Sequence, residues 1–159
     1  MPFEIAALPL GKGLIAICPM PGRNGSYAAD LAVLLGWSPD LVITMTPDDE
    51  RHARGAQSLP QDLAARGVGW LSLPVADFGV PSDATLQLWP AAAARVTAVL
   101  SQGGRVLVHC MGGCGRSGMA ILRLMVEMGE APAPALTRLR AVRPCAVETE
   151  DQYLWATRP

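Results

Sequence analysis

The sequence predicts an α/β fold, and three observations carry that prediction. Short apolar runs that read as buried strands alternate along the chain with longer segments of helical pattern. The run Val106 to Val108 ends in His109-Cys110 and a glycine-rich turn with Gly112, Gly113 and Gly115; Arg116 and Ser117 then open the apolar segment Met119 to Met128. That strand, turn and helix start put chemistry at the carboxyl end of a strand, where open α/β sheets carry it. Half of the 159 residues are hydrophobic and 17% are charged, enough for one dense core. Without a repeat, a low-complexity tract or a linker, a single domain over residues 1–159 is expected.

In chain order, Phe3 to Ala7 and Gly13 to Cys18 flank Pro9, Gly11 and Lys12 and are expected to pair as a hairpin at a sheet edge. A Pro/Gly loop follows, and Ser26 is placed to cap a helix over Tyr27 to Leu35 that stops at Gly36. Leu41 to Met45 reads as the next buried strand. Thr46-Pro47-Asp48-Asp49-Glu50 reads as a helix start, with a Thr cap, Pro in the first helical position and acids in the first turn. The run Leu41-Val-Ile-Thr-Met-Thr-x-x-x-Glu50 resembles a segment of the dual-specificity phosphatases. A well-capped surface helix, with His52 on its exposed side, is the bland alternative, and nothing requires more. Leu59 to Arg66 reads as a helix stopped by Gly67, and Val68 to Leu73 as a strand. After the loop Pro74 to Pro81, a helix is expected over Thr85 to Gln102, with Asp83 at its cap and Pro90 early within it. Gly103-Gly104 leads into the strand and its glycine-rich turn. Gly129 and Pro132 close the helix that follows. Pro134 to Val142 puts Leu136, Leu139 and Val142 on one face, Arg143-Pro144 breaks it, and a last helix runs from about Thr149 to Ala156.

The glycine-rich turn is where the chemistry concentrates. A tight loop entering a helix N-terminus aims successive backbone N–H groups at one point, and the helix dipole adds positive potential there. The amides of Met111, Gly112, Gly113, Cys114, Gly115 and Arg116 are therefore expected to bind an oxyanion. Arg116 adds a planar fork matched to two phosphate oxygens. The same field favours the thiolate of Cys110 at the base of the loop, an activated nucleophile beneath a bound anion. A plain β–α turn with a buried cysteine is the bland alternative. Zinc is disfavoured, because His109, Cys110 and Cys114 would crowd three ligands into one turn and lack a fourth.

The net charge of −1 offers no broad basic surface to nucleic acid or anionic lipid. No apolar run reaches the ~20 residues that span a bilayer, and Pro19 interrupts the run after Lys12 too early for a secretory leader. Four widely spaced cysteines do not read as a disulfide scaffold, so a reducing cytoplasm is expected. A monomer is expected.

The pattern His109-Cys110-x-x-Gly113-x-x-Arg116-Ser117-Gly118 resembles the signature of the protein tyrosine and dual-specificity phosphatases. The resemblance implies a small, mostly parallel sheet of four or five strands flanked by helices. It implies a phosphatase acting on phosphotyrosine, and also phosphoserine or phosphothreonine, in proteins or on a small phosphoester, by way of a cysteinyl-phosphate. It implies no cofactor and no metal, since the loop and Arg116 supply the positive charge. A proton donor is required on the leaving side. Asp77, 33 residues before Cys110 in Pro74-Val-Ala-Asp77-Phe-Gly-Val-Pro81, stands where that family draws it; otherwise it is a turn residue capping backbone N–H groups. Ser117 is implied as the hydrogen-bond donor to the departing Cys110 sulfur, and His109 as a residue that shapes the loop. Val147-Glu148-Thr149-Glu150-Asp151-Gln152 is similar to the family's Gln-Thr-x-x-Gln segment, with Glu148 in place of the first Gln and Gln152 matching the second. An ordinary capped helix explains Thr149 to Gln152 equally well.

Met111 and Cys114 stand where phosphoinositide phosphatases usually carry lysines, and Gly115 where RNA 5′-triphosphatases carry Asn. A shallow pocket, and so dual specificity, is expected. A binding module without turnover and thiol chemistry at Cys110 and Cys114 are the other classes. Cys114 is also expected to be able to protect Cys110 as a Cys110–Cys114 disulfide under oxidation.

Overall fold

The alternation of apolar runs and helices resolves, in a computed structural model describing residues 2–158, into a five-stranded sheet between two helical layers. Met1 and Pro159, the two ends of the expected domain, lie outside the described residues. The strands are β1 (Ala6–Leu10), β2 (Gly13–Cys18), β3 (Leu41–Thr44), β4 (Gly69–Ser72) and β5 (Arg105–His109). Their order is β1-β2-β5-β3-β4, with β1 antiparallel to β2 and every other pairing parallel. The last strand to be made is therefore central, between β2 and β3. Loops leaving β2, β3 and β5 all emerge at one end of the sheet, the crevice position of an open α/β fold.

A period of two sorts the strand residues. Ile15, Ile17, Leu41, Ile43, Val106 and Val108 join one buried cluster, while Ala16, Cys18, Val42 and Leu107 join the other. The second cluster is covered by α1 (Tyr27–Gly36) and α3 (Leu59–Ala64) through Leu34, Leu59 and Leu63. The first is covered by α4 (Asp83–Ser101), α5 (Gly115–Glu127), α6 (Pro132–Val142) and α7 (Glu150–Thr157). Both faces of the sheet are thus dry, which is why its strands read as unbroken apolar runs. In α5, Met119, Ala120, Ile121, Leu122, Leu124 and Met125 are all buried. Each large side chain among them adds about 1.5–3 kcal/mol from burial, so the helix behind the turn is firmly seated.

Several element ends differ from expectation. β1 runs Ala6–Leu10 rather than Phe3 to Ala7, passing through Pro9. An edge strand tolerates proline because one side makes no ladder bonds; there the Pro9 carbonyl accepts from Arg138 Nη1 at 2.8 Å. Thr46 does not cap α2 (Asp48–His52): Pro47 holds the cap position with no side-chain bond, and Thr46 Oγ1 is buried without a partner. Ser82, not Asp83, caps α4, its Oγ accepting from Thr85 N at 3.3 Å. Helix α6 begins at Pro132, two residues early, because proline suits the first helical turn. Ser26 caps α1 as expected. Among the described residues no helix is long and apolar enough to cross a membrane.

Candidate active site

The turn after β5 is built by restraints from three directions. Its start is held by strand continuation: Met20 N donates to Met111 O at 3.0 Å and Met45 N to His109 O at 2.9 Å, tying the ends of β2 and β3 to it. At its middle, Gly113 has φ of +68°, and a Cβ there would lie 2.6 Å from the Cys18 carbonyl carbon. Only glycine fits so close to β2 in that backbone conformation. From behind, Arg143 donates from Nε to Gly113 O and from Nη2 to Gly112 O, both at 2.9 Å. The carbonyls of Gly112 and Gly113 are thereby turned back onto Arg143.

His109 is fully buried and its tautomer is dictated by its partners. Trp70 Nε1 can only donate, and it donates to Thr44 Oγ1 at 2.8 Å. The Thr44 hydroxyl proton then points to His109 Nε2 at 2.7 Å, and Nδ1 donates to Cys110 O at 3.2 Å. Burial pushes its pKa down to about 4, so the ring is neutral at ordinary pH, with the Cys110 carbonyl bond opposing the shift and the charges of Arg51 and Arg116 adding to it. His109 thus ties β3 and β4, through Thr44 and Trp70, to the start of the turn.

Cys110 Sγ lies 3.2 Å from Ser117 Oγ, and both residues are buried. Arg116 is 2% exposed. Its guanidinium makes a two-pronged pair with Glu50, Nη1 to Oε2 at 2.8 Å and Nη2 to Oε1 at 2.9 Å, and donates to Val75 O at 3.0 Å. Asp77 Oδ1 sits 3.3 Å from Arg116 Nη2, with the Asp77 side chain 60% exposed. The same Oδ1 accepts from Phe78 N at 3.0 Å, so Asp77 is also the turn-capping residue of the bland reading. The structure thus brings Cys110, Ser117, Arg116 and Asp77 together. Above them lies a cleft of about 250 Å³ lined by Arg23, Asp77, Phe78, Met111, Gly112, Cys114 and Glu148.

Two expectations at the site need correction. The first concerns Glu50, the last residue of the run Leu41-Val-Ile-Thr-Met-Thr-x-x-x-Glu50, for which a well-capped surface helix is explanation enough in the sequence. Strand β3 abuts β5, so the helix that follows β3 lies beside the turn, and Glu50 reaches Arg116. The signal was an acid shortly after a strand that neighbours β5, and strand order is invisible in a sequence. The second concerns the cysteines. Cys114 is bonded to Cys145, 31 residues downstream, and Cys110 is a free thiol. A Cys110–Cys114 bridge is excluded while that bond exists, because each sulfur forms one disulfide. The reason lies in α6, which returns Arg143 and Cys145 to the back of the turn. Cys18, the other free cysteine, is fully buried beneath, its thiol pushed far up by burial and then by the nearby Cys110.

Gln152 completes a capping box with Thr149 and accepts from Glu148 N at 2.9 Å. Its Nε2 donates to Gly79 O at 3.2 Å, joining the start of α7 to the loop that bears Asp77. The capped-helix reading therefore describes Gln152, with one added tie toward the site. Glu148 lines the cleft, and its carboxylate packs close against Gly115 at the start of α5. Arg23 was missed by the sequence reading; it follows β2, and its Nη1 would lie 3.1 Å from a Cβ on Gly112. Among the described residues no group of three or more His, Cys, Asp or Glu is placed to hold a metal ion.

A five-stranded α/β sheet with an amide-lined turn between its central strand and a buried helix, a cysteine at the base and an arginine at the far end, defines the class of dual-specificity and tyrosine phosphatases. The profile of the family described as Polymorphic toxin system, DSP-PTPase phosphatase matches residues 21–130, and the chain belongs to that family. It is a phosphatase of the dual-specificity type. Among solved structures it is similar to kinase associated phosphatase, with serine in place of that protein's catalytic-site cysteine, at a TM-score of 0.84 and 22% identity, covering 98% of this chain and 93% of that one. It is similar to Tk-PTP in its active form (TM-score 0.70, 29% identity, 96% of this chain and 95% of that one). It is also similar to PTPMT1 in complex with PI(5)P (TM-score 0.73, 20% identity, 95% and 92%). No curated protein matches the chain in sequence.

Proposed function

We propose that the chain hydrolyses phosphomonoesters on protein side chains, phosphotyrosine foremost and phosphoserine or phosphothreonine also, through a cysteinyl-phosphate. The observation that carries this reading is the Cys110 Sγ–Ser117 Oγ contact of 3.2 Å at one end of the turn, with the Arg116–Asp77 pair at the other. The incoming phosphate oxygens take the place of the Asp77 carboxylate on Arg116 Nη2 while Glu50 keeps the guanidinium flat from behind. Asp77 is then free to protonate the leaving oxygen as the Cys110 thiolate attacks phosphorus in line. In the second step Asp77 takes a proton from water, water attacks phosphorus, and the S–P bond breaks with Ser117 donating to the departing sulfur. The loop amides and Arg116 follow the equatorial oxygens through both steps.

The rim of the cleft supports a protein side chain as substrate. Phe78 is 59% exposed beside Asp77 and offers a ring face to an aryl ester. A polyanionic lipid headgroup fits less well: Asp77 and Glu148 line the cleft with one arginine, Arg23, and would repel further phosphates. The binding of PI(5)P by PTPMT1 is therefore not carried over. A pure binding module is disfavoured because it has no use for a nucleophile and a proton donor together.

The test is phosphate release from an aryl phosphate, from phosphotyrosine and phosphoserine peptides, and from a phosphoinositide. The expected order is aryl phosphate and phosphotyrosine first and phosphoinositide last. Cys110→Ser is expected to lower turnover by at least about 10³-fold, as loss of a nucleophile does elsewhere. Undiminished hydrolysis in that variant, or no release by the parent protein, would sink the reading.

A further inference from the structure

We infer that the Cys114–Cys145 disulfide positions the phosphate-binding turn, so that this phosphatase binds its anion best with that bond formed and loses affinity when a dithiol reduces it. The inference rests on the reading above that the turn holds the substrate phosphate.

The segment from Arg143 to Val147 grips the turn at four points. Arg143 takes the carbonyls of Gly112 and Gly113. Val147 N, in a residue with φ of +66°, donates to Cys114 O at 3.2 Å. Cys145 closes the only covalent link, to Cys114 itself. Cys114 occupies the cap position of α5 and makes no side-chain capping bond, because its sulfur is spent on Cys145. Its carbonyl accepts from Gly118 N at 2.9 Å, the first full turn of the helix. Moving Cys114 therefore moves both the turn amides and the helix start, the two sources of positive potential at the anion site.

The covalent link matters because it fastens Cys114 itself. The segment around Cys145 is also held by Arg140, which donates to Ala146 O at 2.9 Å and to Val147 O at 2.8 Å, and by the burial of Ala146 and Val147. Cys145 sits between two helices, after Pro144, which has no N–H to give. Without the bond, Cys145 retains only a long sulfur contact, 3.9 Å, to Gly113 O. Arg143 and Val147 then hold the turn through hydrogen bonds and packing, with no covalent tie to Cys114. Cys110 takes no part in the bridge and stays a free thiol, so forming Cys114–Cys145 does not consume the nucleophile. Most cysteine-dependent enzymes gain from reductant; this one is expected to gain from a particular oxidation. The chemistry balances simply: a dithiol gives two electrons and two protons, the Sγ–Sγ bond becomes two thiols, and the dithiol becomes a disulfide. Reoxidation is the reverse exchange with a disulfide donor.

The experiment uses the full chain and an aryl phosphate, under anaerobic conditions so that Cys110 stays reduced without added thiol. KM, kcat and the inhibition constant of inorganic phosphate are measured for the oxidised protein, for the protein reduced by dithiothreitol, and for Cys145→Ser. Mass spectrometry reports the state of the bridge in each arm. The expected result is phosphate inhibition about tenfold weaker in the reduced protein, the scale of one displaced hydrogen bond. KM should rise in parallel, kcat should change less, and Cys145→Ser should match the reduced protein and ignore dithiothreitol. Equal phosphate inhibition in bridged and reduced protein overturns the inference, as does a chain that carries four free thiols under oxidising conditions. Should Cys145→Ser fail to fold, the reduced wild-type protein decides alone. Failure of the underlying reading looks different: Cys110→Ser would then keep its aryl-phosphate hydrolysis, whatever the bridge does.

Discussion

Two arginines flank the glycine-rich turn after β5, and they are held in opposite ways. Arg116, in front, is bound by carboxylates: Glu50 at two points and Asp77 at one. Arg143, behind, is bound by the carbonyls of Gly112 and Gly113, with no carboxylate against it. A guanidinium paired to an exposed carboxylate can trade that partner for a phosphate at little net cost, because one charge-assisted bond replaces another. A guanidinium holding backbone carbonyls has no such exchange open to it. On the function proposed above, Arg116 is the contact for the substrate phosphate and Arg143 fixes the shape of the turn into which it fits. Both are nearly buried, so burial alone does not tell the two roles apart; their partners do.

That contrast can be broken in three ways. The largest effect is expected from Arg116→Lys, which keeps the charge and removes the fork. It should lower kcat/KM for an aryl phosphate by about 10³-fold, as for a lost transition-state donor, with thermal stability changed far less. If Lys served as well, the fork would not be the reason for Arg116. Arg143→Met keeps the packing and removes both carbonyl bonds. It should lower kcat/KM by about 10- to 100-fold and also lower the urea midpoint, since two buried carbonyls lose their partner. A variant with normal kinetics would show that the turn keeps its shape unaided.

The third effect falls on stability rather than turnover and comes from His109, at the start of the turn. Its pKa is depressed from 6.5 to about 4 on folding. Between those values the unfolded chain binds more protons than the folded one, so stability rises with pH. The contribution is fully present above pH 6.5 and is lost as pH falls toward 4, amounting to about 3 kcal/mol across that window. Urea midpoints from pH 7 to 4 measure it. A flat profile would mean that the imidazole is not the buried neutral ring that the Trp70–Thr44–His109 chain requires.

The ten residues from His109 to Gly118 were legible because their chemistry is local. A strand, a glycine turn and a helix start place Cys110, Arg116 and Ser117 relative to one another within a few residues, whatever surrounds them. Asp77 was legible as a loop acid in a Pro- and Gly-bounded segment before the last strand. Which residues of β2, β3 and β5 enter which core was not legible, since unbroken apolar runs carry no alternation to read; the structure sorts them. Element ends were legible only in part: Pro9 argued against a strand that runs through it, and Thr46 looked like a cap that Pro47 makes instead.

What the sequence by itself determined is the α/β character, the glycine-rich turn between strand and helix and the residues within it, because backbone geometry over ten residues suffices to bring them together. Which distant residues reach that turn was decided only in three dimensions. Glu50 meets Arg116 because β3 lies beside β5, and Arg143 and Cys145 reach its back because α6 folds over α5. Those approaches depend on strand order and helix packing, which no local spacing encodes. Two cysteines 31 residues apart carry no mark of being neighbours until the core between them has formed.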